Sequence, residues 1–351
     1  MKRRPSTHLD IRAVLCFGAV LLSADMNGQW TVVNLHPPGA LNSSASEVAD
    51  GLQVGWANFG SGIRAVLWSG SSASWVDLKP GRPASAHGIG DGQQAGWVDI
   101  GGGGIHHASL WSGSSDSWID LNPENASRSE AYSVAGGQQV GYIFSNTPRA
   151  TLWNGSAQSF VDLHPQQASS SVANATDGLQ QVGIAIIGGL ECAGLWTGSA
   201  GSWVSLNPVG SDRSRARGVH AGQQVGVARV GGVDRASLWF GSAETWVDLH
   251  PLVADSSYAT AGYAGMQVGA VDINNQPHAS LWKGTAASWM DLHTALPANY
   301  RFSVARGIWQ GGSQTYVVGY AYNESAARNE AIMWVATTKS ISLRSAPRIG
   351  G

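Results

Sequence analysis

The sequence predicts an all-β fold, a seven-bladed β-propeller, and two observations support it. A unit of about 43 residues recurs, and its most regular mark is a Leu-Trp or Met-Trp pair ending at Trp68, Trp111, Trp153, Trp196, Trp239, Trp282 and Trp334. Each unit holds about four short β-prone segments separated by Gly, Ser, Asn and Pro, with no helical apolar period. Four strands in about 40–45 residues are typical of one propeller blade, whereas the coils of a β-solenoid are usually shorter.

The four strands of a unit follow one order. The first lies near an Ala-x-x-Val motif, the second at Gln-Val-Gly, the third at His-Ala-Ser-Leu-Trp and the fourth at Trp-Val-Asp-Leu. One more copy of the fourth motif, Val33 to Pro37, precedes the first full unit. We expect strands from both chain ends to seal the ring. The N-terminal strand either pairs with Ala331 to Val335 or gives up that place to Ser340 to Leu343.

The last two strands of each unit are predicted to form a hairpin with Arg64 opposite Asp77 and Val66 opposite Trp75. A glycine recurs in its turn, Gly70 in the first unit, which predicts a backbone with positive φ. Side chains alternate along a strand, so the hairpin has a Trp-rich face and a small aliphatic face. We expect the Trp face of one blade to lie on the aliphatic face of the next.

A basic residue on the third strand and an aspartate on the fourth vary together. Five units carry both: Arg64 and Asp77, His107 and Asp120, Arg149 and Asp162, Arg235 and Asp248, His278 and Asp291. Two units carry neither: Cys192 with Ser205, and Glu330 with Ser342. We therefore expect a structural ion pair in five blades rather than a ring of cations that binds anions or metals.

Composition limits the function classes. The chain has 351 residues, 46 of them Gly and 16 Trp, and 43% are hydrophobic, which suffices for a core. The net charge of -2 leaves no basic footprint, so no nucleic-acid partner is expected. The chain shows no G-x-S-x-G motif, paired-carboxylate signature or metal-ligand spacing, and acidic residues outside the repeat, such as Glu47 and Glu130, are scattered over the units. The sequence thus predicts no catalytic, cofactor or metal site.

The N-terminal residues 1–28 have the layout of a secretory signal peptide. A basic segment precedes an apolar run over 13–22 that is too short to span a bilayer. The alternative is a misassigned start codon. Removal of the signal leaves 29–351 as a single propeller domain, secreted or periplasmic, not inserted in a membrane and expected to be a monomer. Cys192 is then the only cysteine, so an intramolecular disulfide is excluded.

Two sets of residues are candidates for ligand contact. Trp56, Trp97 and Trp309 fall outside the repeated Trp positions and are candidate stacking platforms, with core packing as the alternative. A polar residue follows each copy of the fourth motif, including the copy that precedes the first unit, and is either part of a rim turn or a member of a ligand-binding ring. These residues are His36, Lys79, Asn122, His164, Asn207, His250 and His293.

Two segments, His107 to Trp111 and His278 to Trp282, read His-Ala-Ser-Leu-Trp, each after a G-Q-x-V-G-like strand and before W-x-D-L. They resemble the HAF-type probable extracellular repeats of bacteria, although most units have Ser or Thr where that pattern has Phe, and three have Arg instead of His. The resemblance covers about 33–343 and implies a secreted repeat array, without an activity or site residues.

We therefore expect a secreted, non-catalytic binding scaffold for a protein or glycan ligand. The alternatives are a lectin with one weak sugar site per blade and a glycan-active enzyme with a site over the central channel.

Overall fold

Seven four-stranded antiparallel sheets form a ring of blades in the computed structural model, which describes residues 30–79 and 81–337. The predicted seven-bladed β-propeller is confirmed. The predicted signal peptide, 1–28, and the segment Ser340 to Leu343 lie outside the described residues. Within the described residues, helical structure is limited to short 3₁₀ turns, and none of these turns is long and apolar enough to cross a membrane.

The strands of blades 1 to 3 follow the order of the motifs. Strand β1 (Thr31–Asn34) precedes the first full blade and belongs to the last one. Blade 1 contains β2 (Asn42–Ala49), β3 (Leu52–Asn58), β4 (Ile63–Trp68) and β5 (Val76–Asp77). Blade 2 contains β6 (Ala84–Gly90), β7 (Gln93–Asp99), β8 (His106–Trp111) and β9 (Ile119–Asp120). Blade 3 contains β10 (Arg128–Ala135), β11 (Gln138–Phe144), β12 (Pro148–Trp153) and β13 (Val161–Asp162).

Blades 4 to 7 continue the pattern. Blade 4 contains β14 (Ala168–Thr176), β15 (Gln181–Ile187), β16 (Leu190–Trp196) and β17 (Val204–Ser205). Blade 5 contains β18 (Ser211–His220), β19 (Gln223–Val230), β20 (Val233–Trp239) and β21 (Val247–Asp248). Blade 6 contains β22 (Ser256–Tyr263), β23 (Met266–Ile273), β24 (Gln276–Trp282) and β25 (Met290–Asp291). Blade 7 contains β26 (Tyr300–Gly311), β27 (Gln314–Asn323), β28 (Arg328–Thr337) and β1. The 3₁₀ turns are Ser115–Ser117, Ala157–Ser159, Ala200–Ser202, Ala243–Thr245, Ala286–Ser288 and His293–Ala295.

The N-terminal strand closes the ring as the fourth strand of blade 7. Thr31 pairs with Val335 and Asn34 with Ile332, so the first of the two predicted closures is the observed one. The first strand of each blade contacts the first strands of its neighbours all around the ring. These seven strands therefore surround the central channel.

The interfaces between blades form the core. The seven tryptophans of the Leu-Trp motif are fully buried. Trp111 of blade 2 packs with Val54, Ala65 and Leu67 of blade 1, and the other interfaces repeat this arrangement. The predicted packing of a Trp face on an aliphatic face is therefore observed, except that the aliphatic face belongs to the preceding blade in chain order.

The outer hairpin has a register two residues away from the predicted one. Val66 lies opposite Asp77, not opposite Trp75. Six residues separate the two tryptophans, and they form a compact turn in which Ser74 Oγ accepts a hydrogen bond from the backbone N–H of Ser69 at 2.9 Å. The turn uses all six residues, and the fourth strand that follows is two residues long.

A buried glutamine from the Gln-Val-Gly motif connects two turns of the blade. Gln53 Oε1 accepts a hydrogen bond from the backbone N–H of Gly70 at 2.9 Å, and its Nε2 donates to the carbonyl oxygen of Gly51 at 2.7 Å. Gly70 has a φ of 81°, as its recurrence predicts. The glutamine therefore fixes the two turns that end the hairpins at this face of the ring.

Candidate ligand-binding site in the central channel

A β-bulge interrupts the innermost strand of every blade at the same place. In blade 1, Ala45 pairs with Gly55 and Glu47 pairs with Val54, which leaves Ser46 between them without a partner on β3. A bulge adds one residue to one strand and redirects its side chain. The seven bulge residues all line the central cavity and are called the polar belt below: Ser46, His87, Tyr132, Asn174, Arg217, Thr260 and Arg306.

The glycine of the Gln-Val-Gly motif permits the bulge. A Cβ on Gly55 would lie 2.0 Å from the carbonyl oxygen of Ser44, because the innermost strand comes unusually close to its neighbour there. The same clash, at 1.9 to 2.0 Å, would arise at the equivalent glycine of every blade. The most regular glycine of the repeat is therefore required by the local structure that forms the belt.

The cavity has a volume of about 570 Å³ and is lined by the innermost strands of all seven blades. It extends from the belt to the turns that follow these strands, such as Asp50 in blade 1 and Asp91 in blade 2. Its volume falls in the range of about 300–1,000 Å³ typical of small-molecule sites.

Several belt side chains are held in place by hydrogen bonds. Asn174 Nδ2 donates to the carbonyl oxygen of Ala216 at 2.7 Å, and Thr260 Oγ1 lies 3.0 Å from the carbonyl oxygen of Ala305. Both contacts reach the next blade. Tyr132 donates its hydroxyl proton to Glu130 at 2.9 Å. These bonds orient the side chains before any ligand arrives.

The two belt arginines differ from most other arginines in the part of the chain that the structure describes. Neither Arg217 nor Arg306 has a carboxylate partner among the described residues. Their guanidinium groups lie over tyrosine rings, 4.9 Å from the centre of Tyr258 and 5.3 Å from that of Tyr320. Burial lowers the pKa of Arg217, and the nearby charges of Arg215 and Arg306 lower it further.

Glu47 and His87 bring titratable groups into the cavity wall. Burial raises the pKa of Glu47 to about 7, although a hydrogen bond with the backbone of Ile89 acts in the opposite direction. Burial lowers the pKa of His87 to about 4, so its ring is neutral at pH 7, and its buried Nε2 has no partner among the described residues. Six blades have a small residue where blade 1 has Glu47: Gly88, Ser133, Ala175, Gly218, Ala261 and Gly307.

Three aromatic side chains line the cavity near its mouth. His220, Tyr263 and Trp309 occupy equivalent positions in blades 5, 6 and 7 and are called the aromatic arc below. The rings of His220 and Tyr263 are stacked with centres 4.3 Å apart. The equivalent residues of the other blades are Ala49, Gly90, Ala135 and Asp177. The mouth is therefore aromatic on one side and more open on the other.

The three tryptophans singled out from the sequence lie in different surroundings. Trp309 is in the aromatic arc. Trp56 and Trp97 do not line the cavity, and each is half-buried on the second strand of its blade. The ring of Trp97 is stacked on that of His106 at 3.7 Å, which covers one of its faces.

The basic and acidic residues of the outer hairpins lie next to each other in five blades. The distances are 3.4 Å for Arg64 and Asp77 and 2.8 Å for His107 and Asp120, Arg235 and Asp248, and His278 and Asp291, with Arg149 and Asp162 also in contact. The ion pairs form although the register differs from the predicted one, because the two side chains meet diagonally. Asp77, for example, lies opposite Val66, two residues from Arg64 on the same strand. The ion pairs lie outside the cavity.

Blade 7 corrects the predicted partner of Glu330. The aspartate position there belongs to Asn34 of the closing strand, not to Ser342, because β1 takes the outer place. Asn34 Nδ2 donates to Glu330 at 2.8 Å, and Tyr300 and Arg328 also donate to this carboxylate. Blade 7 therefore has a glutamate and an asparagine at the two positions where five other blades have a basic residue and an aspartate.

The polar residues after the fourth strands form internal contacts. Between blades 3 and 4, Ser171 Oγ accepts a hydrogen bond from the backbone N–H of Ala150 at 2.9 Å and donates to His164 Nδ1 at 2.8 Å, while His164 Nε2 donates to the carbonyl oxygen of Ala168 at 3.0 Å. Burial lowers the pKa of His164, which agrees with this neutral tautomer. The contact to a serine recurs at the other three rim histidines, His36, His250 and His293. The four histidines therefore serve the rim turns, the first of the two interpretations left open by the sequence.

The polar belt was missed from the sequence. The candidates for a unique constellation in the sequence are acidic residues outside the repeat, whereas the belt contains no acidic residue. The belt could be identified from the residue types at one position, the one after the recurring alanine of the first strand in each unit. There seven units carry six different residue types, all polar, within an otherwise repetitive pattern.

Comparisons with known proteins support the fold. No protein-family model and no curated protein matches the chain. The β-propeller domain of the Trilobed protease from Pyrococcus furiosus is similar with a TM-score of 0.56 at 8% identity, covering 86% of this chain and 99% of that domain. YCF48 bound to D1 peptide is similar with a TM-score of 0.54 at 13% identity, covering 89% of this chain and 96% of that one.

Puromycin hydrolase is similar with a TM-score of 0.54 at 11% identity, covering 84% of this chain. The chain spans about half the length of puromycin hydrolase, 55% of it. At these identities the likeness shows the fold alone, a β-propeller.

Proposed function

We propose that this protein is a non-catalytic binding protein that holds one small ligand in the central channel. The observation that carries the proposal is the polar belt, in which seven bulges place side chains of different chemistry around one cavity. Bulges are frequent next to functional sites, where they redirect a side chain. The bonds that hold Tyr132, Asn174 and Thr260 reduce the entropy lost on binding.

The distribution of repeated and varied residues favours one site over seven. Among the described residues, the features that repeat are engaged within the protein: the outer ion pairs, the glutamines of the Gln-Val-Gly motif and the rim histidines. A lectin with one sugar site per blade needs the opposite, repeated polar groups free to bind. The varied residues converge on a single cavity, which is what one asymmetric ligand requires.

A glycan-active enzyme is a second candidate, favoured by the pKa of Glu47. A carboxyl group with a pKa of about 7 inside a cavity suits general acid–base catalysis. The two functions differ in what leaves the protein. A binding protein releases its ligand unchanged, whereas an enzyme converts it, and E47Q would then abolish conversion while binding persists.

The binding proposal is tested by closing the cavity. Ala49 lies at the mouth in the position that blade 7 fills with Trp309, so Ala49→Trp introduces there the side chain that the equivalent position of blade 7 carries. Val209 is fully exposed and outside the cavity, so Val209→Trp is the matched control. Native mass spectrometry with a set of monosaccharides, sugar acids and amino acids measures the stoichiometry.

We expect one ligand per chain for the unmodified protein and the control, and at least tenfold weaker binding for Ala49→Trp. Several equivalent ligands per chain, no bound ligand, or binding unaffected by Ala49→Trp would contradict the proposal.

A further inference from the structure

We propose that the ligand is a ring-bearing organic anion of about the size of a monosaccharide, with its negative group between Arg217 and Arg306 and its ring on the aromatic arc. This inference rests on the proposed function and names the chemistry of its ligand. Three features carry it: two arginines without acidic partners, an aromatic surface on the same blades, and the size of the cavity.

The arginines provide the charge. A comparison within β18 shows how unusual Arg217 is. Two residues earlier, Arg215 forms an ion pair with Glu191 of the preceding blade, whereas Arg217 has no such partner among the described residues. Arg306 occupies the same belt position two blades further on, and it too has no carboxylate partner among the described residues. Arg217 is partly buried, a state in which charges are normally paired, whereas Arg306 is exposed. An anion that contacts both guanidinium groups would compensate the burial of Arg217 and the repulsion between the two cations.

The four acidic residues that line the cavity lie on blades other than those of the two arginines. Asp50, Asp91 and Asp177 belong to the mouth turns of blades 1, 2 and 4, and Asp91 also accepts a hydrogen bond from the backbone N–H of Gly136 at 2.6 Å. Glu47 is in blade 1. The cavity is therefore polarised, with acids on blades 1, 2 and 4 and both cations on blades 5 and 7. A ligand with a single negative group is oriented by this difference.

The aromatic arc lies on the two blades that carry the cations and on the blade between them. Each arc residue follows its belt residue by three positions: His220 after Arg217, Tyr263 after Thr260, and Trp309 after Arg306. Three residues of a strand span about 10 Å, part of which an arginine side chain covers. A compact ligand can therefore contact a guanidinium group and an aromatic face at once. Planar and sugar rings both present the apolar surface that such faces accept.

The cavity volume and the remaining belt groups agree with a polar, ring-sized molecule. A volume of about 570 Å³ holds a monosaccharide with several waters. His87 of blade 2 has a neutral ring whose buried Nε2 has no partner among the described residues, and Asn174 of blade 4, which neighbours the blade of Arg217, keeps its Oδ1 as an acceptor. These groups suit the hydroxyls of a sugar. Guanidinium groups bind carboxylates and phosphates alike, so the anionic group is left to the experiment.

The experiment is isothermal titration of the full chain with four probes. Glucuronate carries a carboxylate, glucose 6-phosphate a phosphate, glucose neither, and benzoate an aromatic ring in place of the sugar. The variants are Arg217→Gln and Arg306→Gln. Arg128 is exposed and outside the cavity, so Arg128→Gln is the matched control. Thermal melting verifies that each variant is folded.

We expect at least one anionic probe to bind at one per chain and at least tenfold more tightly than glucose. Arg217→Gln and Arg306→Gln should each weaken it at least tenfold, with Arg128→Gln unchanged. Trp309→Leu should weaken binding and leave the preference for the anion intact.

Two outcomes would overturn the inference. If glucose binds as tightly as the anions and both arginine variants are unaffected, the ligand is neutral. The binding function then stands as long as Ala49→Trp blocks it. If none of the four probes binds, the ring-bearing anion is wrong, and the wider ligand set with Ala49→Trp still decides whether the channel binds anything.

Discussion

Replacement of Glu47 by glutamine should stabilise the protein, and increasingly so as the pH rises. Burial raises the pKa of this carboxyl from 4.5 to about 7. A group whose pKa rises on folding contributes full stability below its unfolded pKa and loses it as the pH passes the folded pKa. Each tenfold change in proton affinity corresponds to about 1.4 kcal/mol, so the ionised carboxylate costs about 3 kcal/mol above pH 7. Water in the cavity reduces this cost, and about 2 kcal/mol is the expected gain at pH 8.

The assay is urea unfolding of the unmodified protein and Glu47→Gln from pH 4 to pH 8. Glutamine keeps an oxygen that can accept the hydrogen bond from Ile89, so the comparison isolates the charge. We expect equal stability near pH 4 and the full difference at pH 8. The matched control is Glu124→Gln at an exposed position, which should show no such trend. A difference that does not vary with pH, or a variant less stable at pH 8, would refute the assignment of Glu47 as an unpaired buried acid.

Three further outcomes are expected in unfolding experiments. Ser171→Ala leaves a buried backbone N–H and His164 Nδ1 unpaired and should cost about 1–3 kcal/mol in urea, whereas exposed Ser169→Ala should cost almost nothing; equal costs would exclude the rim contact. Burial lowers the pKa of the rim histidines, so thermal stability in the Glu47→Gln background should fall as the pH drops below about 6.5, and a flat profile would contradict their neutral state. Cys192→Arg and Ser205→Asp should each be neutral or destabilising and show favourable coupling of about 0.5 kcal/mol together, because Ser205 is exposed; strict additivity would mean that the two side chains do not meet.

The outer hairpin shows how far sequence reasoning reaches. The residue types at the positions of Arg64 and Asp77 vary together among the seven units, which predicts a contact between them. The structure contains this contact, since long side chains meet across a range of strand offsets. The same reasoning placed the register two residues off, because the number of residues used by a turn depends on hydrogen bonds such as that of Ser74. It also assigned Ser342 to blade 7, because the strand that takes the outer place there comes from the other end of the chain.

The sequence by itself determined the fold class, the number of blades and the strands within each blade. Each of these follows from a pattern shorter than one repeat, in which alternating burial and turn residues are repeated seven times. The tertiary structure alone decided which residues share the channel. Arg217 and Arg306 are almost ninety positions apart in the chain, and the packing of blades 5, 6 and 7 around the channel brings them to one cavity. The bulge beside Gly55 then redirects one residue into the channel. A hydrophobic pattern of period two, which assumes regular alternation of side chains, does not predict this direction.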